Sequence, residues 1–310
     1  MMRAVVVDPE SRARLSVTEV DEPEPGPSEA LVRVAAVSLN RGEVRRAEMA
    51  EPGFRPGWDL AGTVERPSAQ GPGEGARVVG FLPSGAWAEL AAVPTNALAE
   101  LPRGVSFEEA ATLPVAGLTA LYALDKGGNL LGKDVLITGA SGGAGQFALQ
   151  LARMSGARVV ALVRRSGHEE LAREAGAHEV VIDERGAAAE EYGPYDLILE
   201  SVGGEVLGNV LSMLAPEGIS VSFGVSGGAG VTFDASELYR IGGAKLYGFI
   251  LFHEVVARPA YAGLARLVKL VDEGRLKPSI EVEAPWTEVG EVAAQLLDRG
   301  YTGKAVLRVS

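Results

Sequence analysis

Three glycines, Gly139, Gly142 and Gly145, stand three residues apart in VLITGASGGAGQFALQLA, where an apolar burst gives way to a helical pattern. A strand that turns into a helix over bare backbone can bring N–H groups against a pyrophosphate. No side chain holds the anion off, and the helix N-terminus carries positive partial charge. The run Gly139, Ala140, Ser141, Gly142, Gly143, Ala144, Gly145 is therefore a candidate phosphate cradle. The same glycines also suit a tight turn with close helix packing. The following strand, RVVALV, ends in Val163-Arg164-Arg165-Ser166, where an NAD site usually places an acidic residue for the ribose hydroxyls. Two planar guanidinium forks and a hydroxyl instead suit an adenosine 2′-phosphate, which predicts NADPH over NADH. The alternative is a pair of arginines solvating a loop.

Such a cradle needs a parallel sheet to hold it. From residue 134 the chain alternates, with VLIT, RVVALV, EVVI, DLILES and ISVSF as buried strands and GGAGQFALQLARMS, GHEELAREAG and GEVLGNVLSML as helices. That spacing predicts βαβ units, and the near-continuous apolar strands predict a sheet covered on both faces. The first hundred residues differ. Arg3 to Val7, Ala30 to Val37, Leu60 to Glu65, Ala76 to Phe81 and Trp87 to Val93 are short β-compatible runs, split by the turn clusters DEPEPGPS and PSAQGPGEG. They predict a small irregular barrel or sandwich. Ser106 with Glu109 forms a capping-box pattern that opens a helical connector around Pro114. A helix around Tyr261 to Glu273, the strand SIEVEAP, a helix around Glu288 to Asp298 and a last strand AVLRV are expected to return to the first domain. The fold class is α/β.

Composition removes whole classes of chemistry. The 310 residues contain no cysteine, which excludes disulfides, thiolate nucleophiles and cysteine-ligated zinc, and only three histidines, His168, His178 and His253, scattered rather than clustered. A net charge of −12 opposes a nucleic-acid footprint. No apolar run reaches the roughly 18 to 20 residues a membrane span needs. The opening MMRAVVVDPE breaks off before a signal-peptide core, so a cytoplasmic protein with a small-molecule partner is expected.

With the glycine loop and the strand–helix alternation in place, a wider set of segments resembles a zinc-independent medium-chain dehydrogenase/reductase of the NADPH:quinone oxidoreductase branch. They are AAVSLNRGE, GWDLAGTV, FEEAATLPVAGLTALYAL, GASGGAGQFALQLA, LAREAGA, LILESVGGEVL, VSFGVSGG and TGKAVLRV, together spanning nearly the full length. The resemblance implies a GroES-like catalytic domain from residues 1–117 and 254–310, and a Rossmann doubly wound parallel sheet from 118–253. It implies cofactor contacts from the glycine loop and from Thr119, Ser201, Phe223, Gly224 and Phe249. Asn40 matches the polar residue of the substrate cleft, with Arg41, Phe54 and Trp58 as neighbours. The aromatic residues also suit ordinary core packing. Two departures stand out: Gly57-Trp58-Asp59 replaces the Gly-His-Glu of zinc-dependent relatives, and His168 and Glu184 occupy the places of a lysine and tyrosine near the adenosine phosphate.

Without a metal or an activated nucleophile, catalysis rests on holding the nicotinamide C4 against a carbon that is already electrophilic. The expected reaction is hydride transfer from NADPH to a quinone, with donors such as Asn40 stabilising the developing oxyanion. Reduction of an enone or enoyl thioester double bond is the alternative. A non-catalytic NADPH-binding sensor or structural protein is the reading from another class. The chain offers no identifiable catalytic acid, and a homodimer is compatible with the family.

Overall fold

The computed structural model describes residues 1–310. Turn-rich segments cut the first hundred residues into short strands. These are β1 (Met2–Val7), β2 (Leu15–Val20), β3 (Glu29–Ser38), β4 (Asp59–Arg66), β5 (Arg77–Phe81), β6 (Leu90–Pro94) and β7 (Leu98–Glu100), with helix α1 (Arg41–Met49) between β3 and β4. Val32, Val34, Leu60, Val64, Val78, Val79 and Val93 are all buried, so alternating β-branched and aliphatic residues supply the core of this part. The charged sequence RGEVRRAEM conceals α1 from a hydrophobic-period reading; only Glu43, Val44 and Ala47 are buried on it.

The capping box forms as read: Ser106 Oγ accepts from the Glu109 N–H at 3.1 Å, and Glu109 Oε2 accepts from the Ser106 N–H at 2.9 Å. It starts α2 (Phe107–Ala111). Proline cannot donate to the helix ladder and crowds the preceding turn, and at Pro114 the backbone widens into one π turn, Leu113–Gly117, before α3 (Leu118–Leu124). The Val115 N–H donates instead to Asp59 Oδ1, at 2.9 Å.

The middle of the chain is a parallel sheet. Its elements are β8 (Asp134–Thr138), α4 (Gly143–Met154), β9 (Arg158–Val163), α5 (Glu169–Glu174), β10 (Glu179–Ile182), β11 (Tyr195–Glu200), α6 (Gly204–Leu211), β12 (Leu214–Ser222), α7 (Ala235–Ile241) and β13 (Lys245–Gly248). The strand order is β10-β9-β8-β11-β12-β13, all parallel, so the winding reverses between β8 and β11. Residues on both faces of β8 and β11 are buried, as continuous apolar runs require. The sequence reading did not find β13, because KLYG is an edge strand with mostly exposed side chains and carries no apolar run.

The tail contributes α8 (Leu251–Ala257), α9 (Ala260–Asp272), β14 (Ile280–Pro285), α10 (Val289–Leu297) and β15 (Lys304–Arg308). β15 pairs antiparallel with β3, with Val306 opposite Ser38, and completes a seven-stranded sheet in the order β14-β15-β3-β4-β5-β7, β6 also pairing with β3. The chain forms two compact units, Met1–Leu118 with Val255–Ser310, and Thr119–Glu254.

Because the Ser106 hydroxyl satisfies an orphan N–H at a helix start, Ser106→Ala is expected to cost about 1 kcal/mol. Urea unfolding of the two proteins checks it; equal midpoints would show that the cap contributes nothing.

Candidate functional site

The glycines of the phosphate loop divide into two kinds. Gly139 has φ +58°, and a Cβ there would press on Ser201 Oγ. A Cβ on Gly145 would lie 2.5 Å from Gly139 O and 2.8 Å from Ala140 Cα. These two are required by the tight turn and the packing of α4. Gly142 is different. It is exposed, and a Cβ on it would meet only Gly139 O, at 3.3 Å. It is also the N-cap of α4 and offers no side chain to the helix end. The first ladder bond runs from Gln146 N–H to Gly142 O at 2.9 Å, so the N–H groups of Gly143, Ala144 and Gly145 precede the ladder. No acidic residue lies in that first turn. Ser141 is half-buried and Ala140 fully buried. This bare, positively polarised turn at the switch point fits a pyrophosphate.

A buried carboxylate that the sequence reading passed over holds the neighbouring loops. Glu200, at the end of β11, accepts through Oε1 from Val202 N–H (2.6 Å), Gly203 N–H (2.9 Å) and Thr138 Oγ1 (3.1 Å). Burial pushes its carboxyl above the usual range, against the pull of those donors. Thr138 in turn accepts from the Ser201 N–H at 3.0 Å, and Ser201 Oγ donates to Thr138 O at 3.1 Å. A Cβ on Gly224 would stand 2.6 Å from Ser201 O. Phe223 and Phe249 meet edge to face, centroids 6.3 Å apart. Gly139, Ser201, Gly224 and the two phenylalanines are thus gathered at the carboxyl ends of β8, β11, β12 and β13. Thr119 is buried on α3. Arg164 and Arg165 are exposed at the end of β9, and His168 beside them is pushed below the usual histidine range by burial, then by Arg165 and Arg164.

In the other unit, Asn40 is the centre of a buried polar cluster. Its Nδ2 donates to Glu43 Oε1 at 2.9 Å and Asp59 Oδ2 at 2.7 Å, and its Oδ1 accepts from Lys304 Nζ at 2.7 Å. Both amide hydrogens are engaged. The expectation that Asn40 donates to a substrate oxyanion is therefore replaced: the amide orders the protein instead. Asp59 Oδ2 also accepts from Ser38 Oγ at 2.7 Å and lies 3.4 Å from Lys304 Nζ. Glu43 Oε2 accepts from the Trp58 N–H at 2.7 Å. Burial, then the Asp59 charge, push Glu43 well above the usual carboxylate range, while burial lowers Lys304. Glu43, Asp59 and Lys304 escaped the sequence reading because they lie up to 261 positions apart by number and no short motif joins them. Arg41 Nη1 donates to Leu296 O at 2.8 Å, and Phe54 lies under the Arg46 guanidinium, 5.1 Å from the ring centroid. Trp58 packs on the start of α1, where a Cβ on Gly42 would be 3.0 Å from its ring.

Comparison with known proteins agrees with this architecture. Residues 26–103 match the family described as alcohol dehydrogenase GroES-like domain, and residues 143–269 the family described as zinc-binding dehydrogenase. The chain is 31% identical over 338 residues to a chloroplastic quinone oxidoreductase of Triphysaria versicolor, covering 99% of this chain and 98% of that one. It is 31% identical over 250 residues to the mitochondrial NAD(P)H oxidoreductase of Mus musculus, a match that takes in 73% of this chain and about six-tenths (61%) of the mouse protein. A mycobacterial protein solved in complex with NADPH superposes with a TM-score of 0.89 at 25% identity, covering 99% of this chain and 100% of the other. The chain belongs to the medium-chain dehydrogenase/reductase family.

The zinc in the name of one matched family does not suit these residues. There is no cysteine, no group of three histidine or acidic side chains is placed to hold a metal, and the buried Asp59 carboxylate already faces the Lys304 ammonium.

The raised carboxyl of Glu200 has a consequence for stability. An acid whose folded pKa exceeds its unfolded one stabilises below the ordinary carboxylate range and loses that contribution as pH rises through the folded value. Glu200→Gln keeps the Oε1 acceptor and turns an amide toward Ser222 Oγ. Its melting temperature is therefore expected to gain on the parent's as pH rises above that range. A difference in melting temperature independent of pH would refute the assignment.

Proposed function

We propose that this chain is an NADPH-dependent oxidoreductase that delivers hydride to a quinone without a metal. The open Gly142 turn carries the reading, since it combines uncapped N–H groups with bare backbone at the switch point of a parallel sheet. The NADPH complex of the mycobacterial neighbour and the quinone oxidoreductase name of the Triphysaria relative support it.

Bound NADPH supplies a hydride from C4, and a quinone that takes this hydride and a proton from solvent becomes a hydroquinone, leaving NADP⁺. The residues of the chain do the holding. Gly143, Ala144 and Gly145 receive the pyrophosphate on backbone N–H groups, beside the bare Gly142. Arg164 and Arg165, with Ser166, receive the 2′-phosphate through charge-assisted hydrogen bonds. Ser201, Phe223, Gly224, Phe249 and Thr119 shape the nicotinamide end. Glu200 is a positioning residue that fixes the backbone carrying Ser201. Asn40 and its buried partners fix Trp58 and α1, with Arg41 and Phe54 beside them on the acceptor's side. Orientation is the main catalytic contribution in such a site, since the acceptor is activated by its own conjugation.

The experiment that tests the reading is NADPH oxidation measured against a panel of quinones, enones and crotonyl thioesters. Turnover with quinones supports it; turnover with thioesters alone, or with none, would overturn the quinone assignment.

NADPH is expected to bind more tightly than NADH, and Arg164→Ala with Arg165→Ala to remove most of that preference. Equal dissociation constants for the two cofactors in the unmutated protein would count against the arginine fork. Activity is expected to survive exhaustive chelation, with elemental analysis finding no stoichiometric zinc. One zinc per chain, lost together with activity, would reverse the metal-free assignment.

A further inference from the structure

The end of β9 gathers three basic side chains within five residues, Arg164, Arg165 and His168. The two arginines are exposed, and the one-turn helix Ser166–His168 folds back on them, the His168 N–H donating to Arg165 O at 3.1 Å. The His168 ring is half-buried. Its Nδ1 is enclosed without a partner, which leaves Nε2 as the nitrogen that can meet a ligand. Burial, then the charges of Arg165 and Arg164, hold the ring below the usual histidine range, and no carboxylate pulls the other way. The acids of the neighbouring elements are engaged elsewhere. Glu169 on α5 accepts from Arg173 Nη2 at 3.0 Å, and Asp183 after β10 accepts from the N–H groups of Arg185 and Ala188 at 3.0 and 2.9 Å. Glu170, Glu174 and Glu184 are exposed to solvent, and the first turn of α4 carries no acid.

This cluster stands beside the glycine loop, within the single unit Thr119–Glu254. β9 is the neighbour of β8, and the Ala140 N–H of the loop donates at 3.3 Å to Leu162 O, two residues before Arg164. A dinucleotide whose pyrophosphate lies at the start of the helix after β8 carries its adenosine ribose to the end of the next strand. A 2′-phosphate there brings a charge of roughly −1.5 to −2 to a ring that two guanidinium groups otherwise keep neutral. An opposite charge so close favours the imidazolium and offsets the repulsion of the arginines. Arginine keeps its charge at every working pH, whereas histidine changes it near neutrality. His168 is therefore the one member of the cluster whose charge can follow the ligand.

We propose that His168 completes the 2′-phosphate site as a proton-dependent donor: the ring takes a proton from solvent as the phosphate arrives and holds it between Nε2 and a phosphate oxygen. This rests on the reading of Arg164 and Arg165 as the 2′-phosphate fork, and it makes the choice between NADPH and NADH depend on pH. A ring whose pKa rises on binding strengthens NADPH binding below its bound value, and that gain is lost as pH rises through it. NADH brings no charge to the ring and gains nothing. The phosphate has a pKa of its own of about 6, and its protonation weakens binding at the acid end alike in every variant.

The chain has only three histidines, His168, His178 and His253, so isotope labelling of the rings resolves each by NMR, and His168→Gln assigns the resonance. Its titration is followed in phosphate-free buffer for the free protein, with AMP, and with adenosine 2′,5′-bisphosphate, which differs from AMP only in the 2′-phosphate. The midpoint is expected to rise by about one pH unit or more with the bisphosphate and to stay in place with AMP. Calorimetry in two buffers of different ionisation enthalpy is expected to find proton uptake with NADPH, none with NADH, and none for either cofactor in His168→Gln. His168→Lys, whose charge is fixed, is expected to hold its preference for NADPH at alkaline pH, where that of the parent declines. If the bisphosphate binds more tightly than AMP but the His168 midpoint does not move, or moves equally with AMP, the inference is overturned while the arginine fork stands. If the bisphosphate binds no more tightly than AMP, the 2′-phosphate reading falls and the inference with it. A His168→Gln protein that melts several degrees lower and loses affinity for both nucleotides alike would show that the ring serves the fold instead.

Discussion

The unit built from the two ends of the chain is organised around one buried carboxylate, Asp59. Its two oxygens reach Ser38 at the end of β3, Asn40 at the start of α1, the Val115 N–H released by the π turn, and Lys304 at the start of β15. Three segments from distant parts of the sequence, around residues 38–40, 115 and 304, thus share one acceptor group. Removing one partner of such a buried pair leaves an uncompensated charge and typically costs about 3–5 kcal/mol. The arrangement is cheap only when complete, so it specifies where the segments go as well as how firmly they stay. The last strand of the chain cannot seat against β3 without bringing the Lys304 ammonium to Asp59.

The unit Thr119–Glu254 uses a carboxylate differently. Glu200 has no ammonium beside it and relies on two backbone N–H groups and a hydroxyl. The two N–H donors, Val202 and Gly203, belong to the loop after β11, so the loop is shaped by the same group that it solvates. Ser201 is then fixed on both sides, by Thr138 and by the close approach of Gly139 and Gly224. The backbone turns at the ends of these parallel strands are closely packed, because any side chain added at Gly139 or Gly224 would meet Ser201.

Much of this was legible in the sequence because it is local. The strand–helix alternation after residue 134, the capping box at Ser106 and the glycine loop each depend on residues within a few positions of one another, and each formed. Two elements were harder, since α1 is too charged and β13, at the edge of the six-stranded sheet, too exposed to leave a periodic trace. The polar clusters were not legible at all. Asn40 looked like a free donor because its partners, Asp59 and Lys304, are brought to it by tertiary structure alone.

These observations separate two uses of polar side chains in one chain. Asn40, Glu43, Asp59, Lys304, Glu200 and Thr138 satisfy each other or the backbone, so their chemistry is directed inward and their role is position. The N–H groups of Gly143 to Gly145 and the guanidinium groups of Arg164 and Arg165 find no acceptor within the fold. An unsatisfied donor is costly where it is shielded from water, and a protein retains it when a ligand completes it. In this chain such donors are cationic or positively polarised, while the net charge is strongly negative. The groups left without an acceptor after β8 and at the end of β9 are thus positive in a chain that is negative as a whole.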